Sequence, residues 1–228
     1  MYWIFRVKTN SRFRILGEEK IFNHMQVKTK PFNVVIYPPA EISKRAIAVS
    51  KKLKGKKGLF ILDGKNYFPH ITLYMTEFPL KNMAKVRKLL KQFVAKTKPF
   101  EISSSKYRQN MDGSIDVDYK KSKNINELQK KIIKLLNPLR EGQMREKDKA
   151  RISEMTKAEQ KNLKLYGYRS VGDKFFPHLT FTKLEKFDKS ALSGMDKSNF
   201  SFRVDKIGFF YLGDYGTCRK LIEVFDLS

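Results

Sequence analysis

At 228 residues, with 41% hydrophobic and 13% aromatic side chains, the chain is long enough to bury a substantial core and is neither disordered nor fibrous. No apolar run reaches membrane-span length, Arg6 interrupts the opening Met1 to Val7 with no small-residue cleavage site after it, and a lone Cys218 excludes an intrachain disulfide; a monomeric cytoplasmic protein with no membrane partner is expected. The net charge of +25 favours a polyanionic partner, although Lys outnumbers Arg 36 to 12 and lacks the bidentate fork of Arg.

Residues 1–31 interleave Arg6, Lys8, Arg12, Arg14 and Lys20 with Trp3, Phe5, Phe13 and Phe22. That composition suits a basic arm on nucleic acid, an appended hairpin, or an extension upstream of a start at Met25. His24 has no partner motif and is left out of any site. From residue 32 to 228 the chain reads as one domain. Phe32 to Tyr37 is an apolar strand closed by Pro38-Pro39. A helix over Glu41 to Leu53 turns Ile42, Ala46, Val49 and Leu53 to one face at spacings of four, three and four. Gly58 precedes a short strand, Leu59 to Leu62. A second helix over Lys81 to Ala95 buries Met83, Val86, Leu90 and Phe93.

Pro99 to Tyr107 and Ser114 to Tyr119 are extended, with Asp112-Gly113 marking the hairpin. Period two puts Asp116 and Asp118 on an exposed strand face rather than at a metal, and no metal or other cofactor is expected. Asn124-x-x-Glu127 reads as a capping box opening a helix with Leu128, Ile132, Leu135 and Leu139 inward. Glu141 to Arg151 is a polar loop or exposed helix. Thr156-x-x-Glu159 caps a further helix that stops at Gly167. A short helix around Lys189 to Ser193 precedes strands over Phe200 to Val204 and Ile207 to Leu212. Gly213-Asp214-Tyr215-Gly216 turns the chain into a last strand, Cys218 to Leu227.

One stretch is written twice. Phe68-Pro69-His70-Ile71-Thr72-Leu73 returns as Phe176-Pro177-His178-Leu179-Thr180-Phe181, and Gly64-Lys65-Asn66-Tyr67 aligns without a gap on Gly172-Asp173-Lys174-Phe175. A second His preceded by Phe-Pro has a chance probability of roughly 0.003 at this Phe and Pro content. Strand alternation puts His70, Thr72 and Tyr74 on one face with Ile71, Leu73 and Met75 behind them. In the second copy His178, Thr180 and Thr182 share a face. Each copy therefore offers an imidazole beside a hydroxyl. Two such strands facing one cleft supply a base, an acid and two hydroxyl donors for the oxygens of a transferring phosphoryl group. Lys65, Lys174, Lys183 and Arg169 are candidates for added positive charge, and Tyr67, Phe68, Phe175 and Phe176 for stacking a base.

Two His-x-Thr motifs about a hundred residues apart, each opening a strand, resemble the two-histidine (2H) phosphoesterase superfamily, which includes 2'-5' RNA ligase-like proteins and RNA 2',3'-cyclic phosphodiesterases. The resemblance implies an α+β fold of two pseudo-symmetric lobes with antiparallel sheets around a central cleft and helices outside. It implies His70 and His178 as acid and base, and Thr72 and Thr180 as phosphate ligands. The expected activity is metal-independent opening of 2',3'-cyclic phosphates on RNA ends or nucleotides. A nuclease of the same family that trims RNA 3' ends, or an RNA- or nucleotide-binding module without turnover, would use the same frame.

Overall fold

The computed structural model describes residues 27–193 and 198–228, so the expected basic arm lies outside it except for residues 27–31. In chain order the elements are β1 (Thr29–Ile36), α1 (Ala40–Lys52), β2 (Ile71–Pro79), α2 (Met83–Val94), β3 (Phe100–Ile102), β4 (Ser104–Gln109), β5 (Ser114–Tyr119), α3 (Lys123–Leu136), α4 (Glu146–Ala150), α5 (Lys157–Tyr166), β6 (His178–Lys183), β7 (Phe202–Val204), β8 (Lys206–Leu212) and β9 (Cys218–Asp226). Seven strands form one antiparallel sheet in the order β4-β5-β6-β2-β1-β8-β9, and β3 pairs with β7 apart from it. The fold is thus α+β, with the two motif strands side by side at the middle of the sheet.

The sheet divides into two like halves, β2-β1-β8-β9 and β4-β5-β6. They meet through one paired position, Ile71 with Leu179. Those two side chains are fully buried, in one core with Leu73 and Phe181 from the same strands and Ile42, Leu90 and Ile132 from the helices. A smaller cluster of Val35, Phe210 and Cys218 packs separately. The His70 half is completed from the far end of the sequence, because β8 pairs with β1.

Strand alternation breaks at the same place in both halves. Val35 pairs with Thr72 and Val34 with Tyr74, which leaves Leu73 as an extra residue on β2. Asp116 pairs with Thr180 and Ile115 with Thr182, leaving Phe181 extra on β6. A bulge of this kind reverses the facing of everything beyond it. Tyr74, expected beside His70 and Thr72, is therefore fully buried, and its hydroxyl donates to the Tyr166 carbonyl at 2.7 Å. Thr182 is likewise buried and donates to the Phe60 carbonyl at 2.7 Å. Met75 and Lys183, the next residue along in each copy, turn to the open face instead.

Several local expectations need correction. Leu59 to Leu62 is not a strand: Gly58 makes a single bridge to Leu184, the Leu59 N–H donates to the Lys183 carbonyl at 2.8 Å, and beyond that side chains hold the segment, the Thr182 hydroxyl on the Phe60 carbonyl and the Ser50 hydroxyl, which accepts from the Leu62 N–H at 2.9 Å. Asn124 does not cap α3; Ser122 does, accepting from the Ile125 N–H, so the helix starts a residue before Asn124. Residues 189–193 form turns rather than a helix. Asp116 and Asp118 are buried, not exposed. The α5 boundaries agree with the sequence. Thr156 and Glu159 form a reciprocal capping box, and Gly167 closes the helix at φ +65, where a Cβ would come within 2.5 Å of the Thr76 hydroxyl.

Candidate functional site

Each histidine is delivered by a short run whose backbone is already committed. Before His70, the Asp63 carboxylate accepts from the N–H groups of Lys65, Asn66 and Tyr67 and shapes the loop. Burial opposes the charge on Asp63, but those N–H bonds hold its pKa down at about 2. Phe68 then bridges to Cys218 of β9. Before His178, the Pro177 carbonyl accepts from the Tyr119 N–H at 2.9 Å. Pro69 and Pro177 have no N–H to lose where the chain enters the strand.

The imidazoles are anchored alike. Nδ1 of His70 lies 2.8 Å from the Phe68 carbonyl, and Nδ1 of His178 lies 2.7 Å from the Phe176 carbonyl. A carbonyl can only accept, so Nδ1 carries the hydrogen in both rings. That fixes the tautomer and leaves each Nε2 to take or give a proton. Both rings line one cavity of about 790 Å³, with Thr72 and Thr180. Around the paired Ile71 and Leu179, antiparallel geometry sets His70 towards Thr180 and Thr72 towards His178. Burial lowers the pKa of His70, the charge of His178 lowers it further, and backbone bonds to Phe68 and Gly216 oppose the shift.

The two hydroxyls are not equivalent. Thr72 Oγ1 accepts from Asn33 Nδ2 at 2.9 Å, so its own hydrogen is free for a ligand. Thr180 lies against the carboxyl of Asp116, which also takes an N–H from Asn110. Arg108 reaches Asp118 at 2.9 Å and Asp116 at 3.8 Å. Burial raises the pKa of Asp116; His178, Thr180, Asn110 and Arg108 pull it the other way. Sequence reasoning misses Asn33, Arg108 and Asp116 as site residues. Asn33 carries a signal, being the lone polar residue within Phe32 to Tyr37. The acids carry none, because alternation alone cannot say which strand face is covered.

Of the other candidates, Lys183, Arg169, Phe68 and Phe176 line the cavity. Phe176 is 54% exposed, with Arg108 and Lys121 over its ring. Lys183 is paired with Asp112 at 2.9 Å. Lys65 and Lys174 are exposed and do not line the cavity, Phe175 is buried in the core, and Tyr74 does not reach the site. Six basic side chains line it (Arg108, Arg145, Lys147, Arg151, Arg169, Lys183), but so do six acidic ones (Glu77, Asp112, Asp116, Glu146, Asp148, Asp214). The charge excess of the chain is not concentrated here. Among the described residues no group of three His, Cys, Asp or Glu is placed to hold a metal ion, and no helix is long and apolar enough to cross a membrane.

A family model described as the 2'-5' RNA ligase superfamily matches residues 38–215. Among solved structures, LigT of E. coli complexed with 3'-AMP is similar at a TM-score of 0.54 and 12% identity, over 88% of this chain and 99% of that one. LigT complexed with phosphate gives 0.51 and 13%, over 88% and 99%. A protein of Thermus thermophilus, TT0787, gives 0.55 and 12%, over 86% and 97%. At these identities the structural likeness speaks to the fold. No curated protein matches by sequence.

Proposed function

Because the chain belongs to the 2'-5' RNA ligase superfamily, we propose that it is a phosphodiesterase opening 2',3'-cyclic phosphates at RNA ends or on nucleotides, with His70 and His178 as its acid–base pair. The observation that carries this reading is the matched anchoring of the two imidazoles, each with Nδ1 on the carbonyl two residues before it and Nε2 left for the cavity they share. Binding a phosphate without turnover does not need two titratable rings held in that way.

His70, whose pKa is lowered, is the base. Its Nε2 takes a proton from water as the water oxygen bonds to phosphorus. The bond from phosphorus to one ribose oxygen breaks, and Nε2–H of His178 protonates the departing oxygen. One water is consumed, and one phosphomonoester and one free hydroxyl form; each proton transfer contributes about 10²–10⁴-fold. Thr72 donates to a non-bridging oxygen as charge builds there. Proton donor and acceptor both come from the chain, so turnover is expected to persist in excess chelator.

The test is to offer the pure protein 2',3'-cyclic nucleotides, RNA ending in a cyclic phosphate, and RNA with a 3' tail. Ring opening by the wild type, lost by at least about 10²-fold in His70→Ala and His178→Ala, is the expected result. Tail trimming without ring opening would move the assignment to the nuclease.

A further inference from the structure

Tyr215 is 48% exposed and lines the same cavity. It sits at φ +58, a left-handed conformation that bulky residues seldom adopt. The turn is closed around it: the Gly213 N–H donates to the Thr217 carbonyl at 2.8 Å, and the Thr217 N–H and hydroxyl donate to the Asp214 carbonyl at 3.1 and 2.7 Å. A turn needing only a left-handed residue is served by Gly or Asn. An aromatic residue held there against its preference is a mark of use, the more so at a cleft.

The ring is also the last layer of a stack. The Arg219 guanidinium lies 4.0 Å from the centroid of Tyr67, Tyr67 stacks on Phe60 at 5.5 Å and 14°, and Phe60 stacks on Tyr215 at 6.5 Å and 20°. Beyond Tyr215 the series ends at the cavity. Lys147 and Lys183 reach over the ring, their ammonium groups 5.8 and 6.0 Å from its centroid. Gly216, the next residue, lines the cavity beside His70. A supported aromatic face, two cations over it and an imidazole lining the same cavity match the parts of a nucleotide: base, phosphate, and the bond to be cut.

Building on the phosphodiesterase reading, we propose that Tyr215 is the platform on which the nucleobase of the substrate stacks, so that the site selects nucleoside cyclic phosphates over cyclic phosphodiesters that carry no base. The base extends the Tyr67–Phe60–Tyr215 series by one layer, and Lys147 and Lys183 turn from the ring to the phosphate. Every base has a π-face, so this contact discriminates nucleotide from non-nucleotide rather than one base from another.

The experiment measures equilibrium binding of 3'-AMP and of inorganic phosphate, neither of which turns over. The proteins are the wild type, Tyr215→Asn and Tyr215→Phe. Asn tolerates the left-handed backbone and removes the ring; Phe keeps the ring. The expected result is 3'-AMP binding weakened about tenfold or more in Tyr215→Asn. Tyr215→Phe should bind 3'-AMP as the wild type does, and phosphate affinity should be equal in all three. Unchanged 3'-AMP binding in Tyr215→Asn overturns the proposal, as does an equal loss for phosphate or a wild type that does not bind 3'-AMP. A wild type that binds 3'-AMP through Tyr215 yet opens no cyclic phosphate leaves the platform standing and sinks the phosphodiesterase.

Discussion

Asp116 stands across from Thr180 in the place that Val35 takes across from Thr72. The halves of the site are alike in backbone and unlike in charge, since a buried carboxyl beside His178 answers an apolar side chain near His70.

That asymmetry predicts opposed effects on stability and rate. Burial raises the folded pKa of Asp116, so the folded chain holds this proton more tightly than the unfolded one. The resulting stability is present at low pH and lost as pH rises through the folded value. Asp116→Asn cannot ionise and should escape that loss, becoming the more stable protein at neutral pH while turning over more slowly. Urea unfolding of both proteins from about pH 4 to pH 8 reads the sign. A variant no more stable than the wild type at neutral pH would mean that Arg108 fully compensates the carboxylate.

His70 works in the other direction. Its folded pKa is lowered, so as pH falls below about 6.5 the unfolded chain takes up a proton that the folded chain still refuses. Stability present above that pH is lost on acidification. His70→Gln should lose less between about pH 6.5 and 5 than the wild type does. Making the comparison in an Asp116→Asn background removes the opposing carboxyl. Parallel stability curves for the two proteins would show that His70 titrates normally.

Thr72 and Asn33 act as a pair. If the free Thr72 hydrogen reaches a phosphate oxygen, Thr72→Val should weaken phosphate binding by roughly ten- to a hundredfold, the worth of a hydrogen bond to a charged group. Asn33→Ala should give a smaller loss in the same measurement, since the hydroxyl remains but is no longer aimed. Phosphate inhibition constants for the two variants test the order. An Asn33→Ala protein equal to wild type would refute the aiming role.

Charge balance in the cavity bears on salt. With six basic and six acidic side chains lining it, turnover of a cyclic mononucleotide should change little between low and high salt. An RNA oligonucleotide long enough to leave the cavity and touch the exposed lysines of α2 and α3, among them Lys88 and Lys131, should bind with a marked salt slope, about 0.7 counterion per neutralised phosphate. Equal slopes for the two ligands would mean that the lysine excess plays no part in holding RNA.

The duplicated frame, the strand it opens and the capping box of α5 can all be read from residue types, because each depends on local chemistry. The facing of Tyr74, Met75, Thr182 and Lys183 cannot. It turns on the extra residues Leu73 and Phe181, which look like any apolar strand residue and bulge only because of what they pair with. Asp116 and Asp118 mislead for a related reason: their cover, Arg108, comes from the neighbouring strand. Leu59 to Leu62 has strand composition and lacks only a ladder to join. Tyr215 reads as an ordinary turn residue, since a strained φ leaves no mark in sequence.

The joining of β8 and β9 onto β1 has a consequence in time. During synthesis, residues 29–79 emerge early, but the half of the sheet that holds His70 lacks two of its four strands until residues 206–226 follow. At about 5–20 residues per second, that is a delay of several seconds or more. The early strands must wait with β1 presenting an open apolar edge, the kind of surface that chaperones cover. The half of the sheet that carries His70 is thus complete only when the last hairpin docks onto β1.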